Sequence, residues 1–335
     1  MDIRIMEVCG THTMSIAKNG IKSMLPEGVK LVSGPGCPVC VTPAGVIDAV
    51  LELAMKDNVI ISTYGDLVRV PGSTPGDNLA RRRALGAKID VVYSPVDAIE
   101  TAKKNPGKEV VFLGVGFETT APGTAAAALS AKEENVKNFS VLSMLKTCEP
   151  AIKALTAMPG FNINGFLLPG HVATIIGRKG FDFLTLPGVV AGFEAEDILR
   201  AVSRLIELIG SGTVAVENEY KRAVNEEGNP KALAIMQECF ERRTDEWRGL
   251  GLIEKSGLGF KDSLADFDAE KKFGLKLIGR ETATACRCGD VITGRISPEQ
   301  CPLFGKRCVP EDPVGPCMVS SEGACAATYK YMDIK

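Results

Sequence analysis

Six of the eleven cysteines in this chain lie in its last fifty residues, and this segment most limits what the chain can fold into. The six positions are Cys286, Cys288, Cys301, Cys308, Cys317 and Cys325. Pro or Gly stands beside almost every one of them, and large apolar side chains are too few there to build a core. A covalent or metal link must therefore hold the segment together.

Two kinds of link would serve, a disulfide framework and a thiolate-bound metal centre. The chain starts MDIRIMEVCG, which is charged and lacks the apolar stretch of a secretory signal. Because disulfide frameworks belong mainly to secreted proteins, this start favours the metal centre. We therefore expect a cytoplasmic protein that binds metal near its C-terminal end.

The composition disfavours several other classes of protein. The net charge of −2 and the pI near 5.9 give no general attraction to nucleic acid or to anionic lipid. The basic run 81–83 is more typical of a solvated helix face than of a phosphate site. The apolar stretches are too short to cross a bilayer. We expect neither a nucleic-acid partner nor a membrane protein.

Short β-branched runs alternate with helical patterns along much of the chain. Strands are predicted at several runs, among them 30–35, 59–63, 91–94, 110–116, 139–145, 165–170 and 188–192. Helices are predicted between them, for example over 42–56, where Thr42 is a candidate N-cap. This alternation is typical of parallel sheets covered by helices, so the predicted fold class is α/β.

A tripeptide repeat indicates that the α/β part is doubled. Gly116-Phe117-Glu118 and Gly192-Phe193-Glu194 each follow a predicted strand and precede a predicted helix. We predict two α/β lobes that meet at a cleft, residues 1–118 and 119–212, followed by a C-terminal region over 213–335. Since ligands of such sheets bind beyond the carboxyl ends of the strands, the turns there are the candidate site.

One of these turns has the CxxC spacing, Cys37-Pro38-Val39-Cys40. This spacing occurs in dithiol redox sites and in metal knuckles, and a helix N-terminus nearby lowers the pKa of a thiol. A knuckle would need two further ligands, for which Cys9 and His12 are the candidates. The spacing favours a dithiol/disulfide couple over a zinc site.

Structural roles explain some of the other residues equally well. Cys148 and Cys239 lie in or beside apolar helical patterns and are predicted to be core residues. Glu118 would serve as a helix cap, and His171 as a core histidine. Gly114 and Gly116 resemble only part of a dinucleotide-binding loop.

Taken together, five motifs resemble the HypD family, the maturation proteins of nickel–iron hydrogenases. They are CGTHT (9–13), GPGCPVC (34–40), GFETTAP (116–122), LLPGHV (167–172) and the cysteine-rich C-terminal segment. The resemblance covers essentially the whole chain. It implies two α/β lobes and a C-terminal domain with a 4Fe–4S cluster. It also implies a scaffold for the iron centre that carries two cyanides and one carbon monoxide.

The resemblance also assigns cluster ligands. The family pattern is cysteine, fourteen residues, cysteine, six, cysteine, sixteen, cysteine. In this chain it falls on four of the six cysteines: Cys286, Cys301, Cys308 and Cys325. Cys288 and Cys317 are left over. Because assigned ligands flank both of them in sequence, these two cysteines could pair with each other.

For the N-terminal motifs the resemblance implies separate roles, iron binding for Cys9 and electron exchange for Cys37 and Cys40. Cys9 binds the iron together with the N-terminal cysteine of HypC, a small chaperone, and His12 is a second ligand or a proton donor. Cys37 and Cys40 exchange two electrons as dithiol and disulfide, supplied one at a time by the cluster. HypE presents cyanide as a thiocyanate. The cleft is lined by Glu118, Thr119, Thr120 and His171.

Two alternatives to this function stay open on the sequence alone. The same residues suit a cluster-dependent dithiol/disulfide oxidoreductase, which would carry no iron outside the cluster. In a purely structural alternative the cluster only staples the C-terminal segment, and the N-terminal turns dock a partner. The scaffold function that the resemblance implies would make the protein a redox-active assembly factor without a conventional turnover reaction.

Overall fold

The computed structural model describes residues 2–277 and 284–331. The strands in these ranges are β1 Ile3–Glu7, β2 Val29–Ser33, β3 Val59–Thr63, β4 Lys88–Val91, β5 Glu109–Gly116, β6 Phe139–Leu145, β7 Gly165–Pro169, β8 Gly188–Ala191, β9 Val216–Asn218, β10 Phe240–Trp247 and β11 Gly251–Phe260. The α-helices are α1 Gly10–Lys18, α2 Pro38–Val41, α3 Ala44–Ala54, α4 Leu79–Ala84, α5 Pro95–Lys104, α6 Ala121–Glu133, α7 Cys148–Thr156, α8 Gly170–Ile176, α9 Ala195–Gly210, α10 Pro230–Cys239, α11 Ala269–Phe273, α12 Cys288–Ile292 and α13 Ala324–Tyr331.

The strands form two parallel sheets and one antiparallel hairpin. Sheet A has the order β2-β1-β7-β8-β9, and sheet B has the order β4-β3-β5-β6. All strand pairs within both sheets are parallel, whereas β10 and β11 pair antiparallel. The predicted α/β class is confirmed, and a cysteine-rich C-terminal region follows.

The sheets divide the chain differently from the predicted lobes. Sheet A combines residues 3–33 with 165–218, and sheet B takes the intervening strands from 59 to 145. The predicted boundary at residue 118 therefore falls inside sheet B, between β5 and β6. The reason is that β1 pairs on one side with β2 and on the other with β7, which returns from far along the chain.

Most predicted strands and helices lie within a residue or two of the observed ones. The strand predicted over 91–94 is shifted, because β4 ends at Val91 and Ser94 begins a capping box with Asp97 at the start of α5. Thr42 is not the N-cap of α3, which is Pro43. Thr42 instead closes the short helix α2, where its hydroxyl donates to the carbonyl of Pro38 at 2.9 Å.

Apolar side chains explain where the sheets pack. Every residue of β6 and β7 is buried, and the alanines of α6 give that helix a face that lies flat against sheet B. The hairpin β10–β11 joins sheet B through Lys146, whose Nζ lies 2.8 Å from the carboxylate of Asp245. Within the described ranges, no helix combines the length and the apolar character that crossing a membrane requires.

Candidate functional site

The predicted site residues follow the carboxyl ends of the parallel strands, where ligands of such sheets bind. Cys9 follows β1, and the pair Cys37–Cys40 follows β2. Glu118 follows β5, and His171 follows β7. One further cysteine, Cys148, follows β6 and was predicted only as a core residue.

Cys9 lies in a tightly packed turn between β1 and α1. The thiol-bearing residue is 8% exposed and is the N-cap of α1. Gly10 donates its N–H to the carbonyl of Gly36 at 3.0 Å, and a Cβ at Gly36 would fall 2.5 Å from the Cα of Cys9. Only glycine permits this approach. The turn with Cys9 and the turn before Cys37 are therefore packed backbone to backbone.

The buried carboxyl group of Glu7 lies beside the backbone of Cys9. Glu7 accepts hydrogen bonds from the N–H of Cys9 at 3.2 Å and from the hydroxyl of Thr13 at 2.5 Å. Burial raises the pKa of Glu7 to about 8. Burial also raises the pKa of Cys9 to about 12, although the backbone N–H of His12 opposes this. The Cys9 thiol is therefore neutral, and the carboxyl group of Glu7 keeps its proton near neutral pH.

Cys37 and Cys40 form a disulfide at the start of α2. Their Cα atoms are 5.2 Å apart, and the N–H of Cys40 donates to Sγ of Cys37 at 3.1 Å. Both residues are buried. The sulfur of Cys288 lies 4.0 Å from the carbonyl oxygen of Cys40. The CxxC pair therefore lies between the Cys9 turn and the cysteine-rich segment.

Glu118 is held by the helix that begins at Cys148. The carboxylate accepts the N–H of Cys148 at 2.8 Å, so it caps α7 rather than α6, the helix that follows it in sequence. The other oxygen, Oε2, is buried and has no hydrogen-bond partner among the described residues. Burial raises the pKa of Glu118, and the pKa of the Cys148 thiol is also raised, first by burial, then by Glu118, with a smaller contribution from Cys9. Cys148 thus lies beside two predicted site residues.

The two threonines of the GFETTAP motif take different positions. Thr119 is exposed. Thr120 is the N-cap of α6 and packs against Gly116, where a Cβ would clash with the threonine side chain. The structure therefore gives Thr120 a local structural contact with Gly116.

The two histidines meet at a phenylalanine of the second GFE tripeptide. The ring of His171 stacks on Phe193 at 3.9 Å, and the ring of His12 lies 4.8 Å from the same phenylalanine. His12 is fully buried, and its Nε2–H donates to the carbonyl of Gly192 at 2.9 Å. Burial lowers the pKa of His12 to about 4, so this histidine is neutral at pH 7. His171 is exposed, and the alternative of a core histidine is wrong.

The C-terminal cysteines gather into one region. Cys286 is half-buried and the other five are buried. Electrostatic interactions connect the thiol of Cys286 with those of Cys301 and Cys308, and the thiol of Cys325 with those of Cys286 and Cys308. The four predicted cluster ligands are therefore neighbours.

The two remaining cysteines lie among these ligands. The sulfur of Cys317 is 3.2 Å from that of Cys325, and Cys288 interacts with Cys317. Both Cys288 and Cys317 are free thiols in the structure. A cavity of about 400 Å³ has Cys286 and Cys288 in its wall, and a Cβ at Gly315 would collide with the sulfur of Cys286. Glycine at this position keeps that thiol accessible.

Four cysteine thiols in one region are the donor set that a 4Fe–4S cluster requires. Such clusters take four thiolates, each on a different iron, so their ligands stand farther apart than those around one ion. Among residues 2–277 and 284–331, no three His, Cys, Asp or Glu side chains are grouped to hold a single metal ion. All four thiols lie in one turn-rich region, where metal–thiolate bonds would add to its stability.

Glu322 connects the cysteine-rich segment to the Cys9 turn, a contact that no local sequence pattern indicates. The carboxylate of Glu322 accepts a hydrogen bond from the hydroxyl of Thr11 at 2.7 Å. A Cβ at Gly10 would fall 2.5 Å from the Cβ of Glu322. Glu322 precedes Cys325 by three residues, just before α13, which packs along α1. The segment that carries a predicted cluster ligand thus reaches the predicted iron ligand.

Comparison with known proteins gives one consistent result. The model of the HypD family, described as "Hydrogenase formation hypA family", matches residues 1–332. The chain is 46% identical over 338 residues to the hydrogenase maturation factor HypD of Rhodobacter capsulatus, an alignment that covers 98% of this chain and 89% of the relative. It is 44% identical over 334 residues to HypD of Escherichia coli K12, with the same coverage. HypD of Azotobacter vinelandii is 43% identical over 338 residues, again covering 98% and 89%.

The family match spans the CGTHT, CPVC and GFETT motifs and the C-terminal cysteines, whose packing the structure shows. Identity above 40% along almost the whole chain supports the same assignment. The chain belongs to the HypD family of hydrogenase maturation factors.

Proposed function

We propose that this chain, together with the small chaperone HypC, is the scaffold on which the Fe(CN)₂CO centre of nickel–iron hydrogenase is assembled. The observation that carries the proposal is the position of the Cys9 turn. This turn packs directly against the turn before the Cys37–Cys40 pair and against Glu322 of the cysteine-rich segment. A metal-anchoring thiol, a dithiol/disulfide pair and a candidate cluster region are therefore contiguous.

Cys9 would anchor the iron, which is the cargo. Iron that carries cyanide and carbon monoxide is a soft, low-spin centre and suits a thiolate ligand. The neutral, buried Cys9 thiol must lose its proton when the iron arrives, and the cation itself favours the thiolate. The N-terminal end of α1 supports the negative charge on sulfur. A second ligand from HypC would complete the shared site.

Cys37 and Cys40 would serve as a store of two electrons. Cyanide is presented by HypE as a thiocyanate, and its release breaks the carbon–sulfur bond. In the balanced reaction, one thiocyanate and the two thiols of Cys37 and Cys40 give one thiol on HypE, one Cys37–Cys40 disulfide and one hydrogen cyanide. The disulfide seen between Cys37 and Cys40 is the oxidised product of this step. Two further electrons and two protons are needed to restore the dithiol.

The residues that would hold a 4Fe–4S cluster are Cys286, Cys301, Cys308 and Cys325. Bound there, the cluster would supply electrons one at a time. The contact between Cys288 and the carbonyl of Cys40 places the cysteine-rich segment against the CxxC pair, which supports an electron source at this point.

Glu118 and His12 would handle protons near the iron. Burial raises the pKa of Glu118, and its Oε2 has no partner in the described part of the chain, so this carboxyl group can hold a proton beside Cys148. Buried Nδ1 of neutral His12 likewise has no partner there. These features support roles as proton donor and acceptor.

The test is infrared spectroscopy of the complex purified anaerobically with HypC. The scaffold function predicts iron beyond that of the cluster, together with bands for cyanide and carbon monoxide. A cluster-dependent oxidoreductase predicts the chromophore of the cluster with neither the extra iron nor the bands. That second result would refute the scaffold function. A cytoplasmic location remains part of the proposal.

A further inference from the structure

One face of sheet A carries a group of cationic side chains that the proposed function does not use. Arg4 of β1 and Lys30 of β2 are paired in register, so both point to the same side of the sheet. The segment 291–300, which links α12 to Cys301, covers this face, and Arg295 in it lies over the sheet. Lys22 approaches from the turn after α1.

These cations line a partly open cavity, and the described residues of its wall include no carboxylate. A cavity of about 230 Å³ has Arg4, Lys22, Lys30 and Arg295 in its wall, and the wall contains no Asp or Glu. A second cavity of about 190 Å³ adjoins it at Arg4, Gly294 and Arg295 and also lacks acidic residues. Within the described part of the chain, Arg295 has one long ion pair, 3.7 Å from Asp290. Like charges therefore converge without a counter-charge in the walls of either cavity.

Arg4 is fixed in place with a donor unused. Its backbone N–H donates to the side-chain oxygen of Asn164 at 2.8 Å, and its guanidinium Nη2 donates to the carbonyl of Gly294 at 2.9 Å. Its Nε is buried and has no partner among residues 2–277 and 284–331. A buried guanidinium N–H without an acceptor is costly, and guanidinium groups match the geometry of phosphate oxygens.

We propose that this cavity binds a phosphate-class oxyanion. Two positive groups on the sheet and one on the covering segment suit a multiply charged anion better than a single carboxylate. The volume is below that of drug-sized ligand pockets, so it suits inorganic phosphate or the phosphoryl end of a small metabolite rather than a whole nucleotide. The anion would bridge Arg4 and Lys30 to Arg295 and so hold the segment that leads to Cys301 against sheet A.

The test is a thermal melt of the full chain with increasing inorganic phosphate, at an ionic strength held constant with sodium chloride. A ligand that binds only the folded protein raises the melting temperature with its concentration. We expect a saturable rise for the native chain and for Lys104→Gln, which removes one exposed positive charge on α5, away from the cavity. Arg4→Gln and Lys30→Gln should lose at least about tenfold in phosphate affinity.

Two controls make the result decisive. Lys30 is exposed, so Lys30→Gln tests the site even if Arg4→Gln is too unstable to measure. Glycerol phosphate in place of phosphate separates the two sources of the anion, and binding of either supports the site. A response to phosphate no larger than that to chloride, or an equal response in Lys30→Gln, would overturn the proposal. Neither outcome bears on the iron scaffold, which involves other residues.

Discussion

The contact between Thr11 and Glu322 should hold the Cys9 turn against the cysteine-rich segment, and its removal should loosen that turn. The hydroxyl of Thr11 donates to the half-buried carboxylate at 2.7 Å. A net contribution of about 1 kcal/mol is expected for a hydrogen bond of this kind. Thr11→Val and Glu322→Ala should each destabilise the folded chain by roughly 1–2 kcal/mol. Glu322→Gln keeps an acceptor oxygen and should cost less than either.

A double-mutant cycle isolates this contact. The coupling energy from Thr11→Val, Glu322→Ala and the double variant should be about 1 kcal/mol in urea unfolding. Since 1 kcal/mol changes an opening equilibrium roughly fivefold, Cys9 should be alkylated about five times faster in each single variant, measured by peptide mass spectrometry. Exposed Glu299→Ala is the matched control and should leave this rate unchanged. A coupling below about 0.3 kcal/mol with unchanged alkylation of Cys9 would refute the reasoning.

Three further predictions concern the cluster, the disulfide and acid stability. Cys301→Ala should lose the brown chromophore and most of its iron, whereas Cys239→Ala should keep both; an iron content near four per chain in Cys301→Ala would contradict the ligand assignment. The Cys37–Cys40 disulfide should form reversibly, so thiol counting should find two more free thiols after reduction and two fewer after reoxidation. Two slowly reacting thiols under all conditions would contradict the role of this pair as an electron store. Because the pKa of His12 is lowered to about 4 from 6.5, the folded state binds fewer protons there than the unfolded chain, and stability should fall as the pH drops from 6.5 to 4. His12→Gln should reduce this loss of stability by up to about 3 kcal/mol, measured by urea unfolding at several pH values. A pH dependence identical to that of the native chain would contradict the prediction.

Much of the fold could be predicted because buried parallel strands and amphipathic helices leave local patterns. The run 110–116 is apolar throughout, as a strand covered on both faces must be, and it forms most of β5. The hairpin β10–β11 was missed. In β10 only Phe240 and Trp247 are buried, and the charged residues between them hide the alternation that indicates a strand.

The arrangement of the sheets could not be predicted from local patterns. Whether β1 pairs with strands near it or with β7 depends on contacts more than 150 residues apart, which no window of sequence contains. For this reason the predicted boundary at residue 118 lies between two strands of sheet B. The repeat of the GFE tripeptide was informative in another way, since Gly116 ends β5 of sheet B and Gly192 directly follows β8 of sheet A.

The candidate site was predicted where its residues belong to turns after strands, and was incomplete where it depends on long-range packing. Burial of Cys148 was predicted correctly, but its position beside Glu118 was not, since a helical pattern shows that a residue is buried and not what it faces. Glu322 is 311 residues from Thr11. A signal for Cys148 did exist, because it follows a predicted strand in the same way as the other site residues.

The central claim, that Cys9 anchors the iron centre, is tested most directly by infrared spectroscopy of the Cys9→Ala chain purified anaerobically with HypC. Cys9 lies outside the cysteine-rich segment, so the variant should keep its chromophore, as should Cys239→Ala as the matched control. The account predicts that Cys9→Ala loses the extra iron and the cyanide and carbon monoxide bands, while Cys239→Ala keeps them. Bands at full strength in Cys9→Ala would contradict the account and move the iron to Cys37 or Cys40.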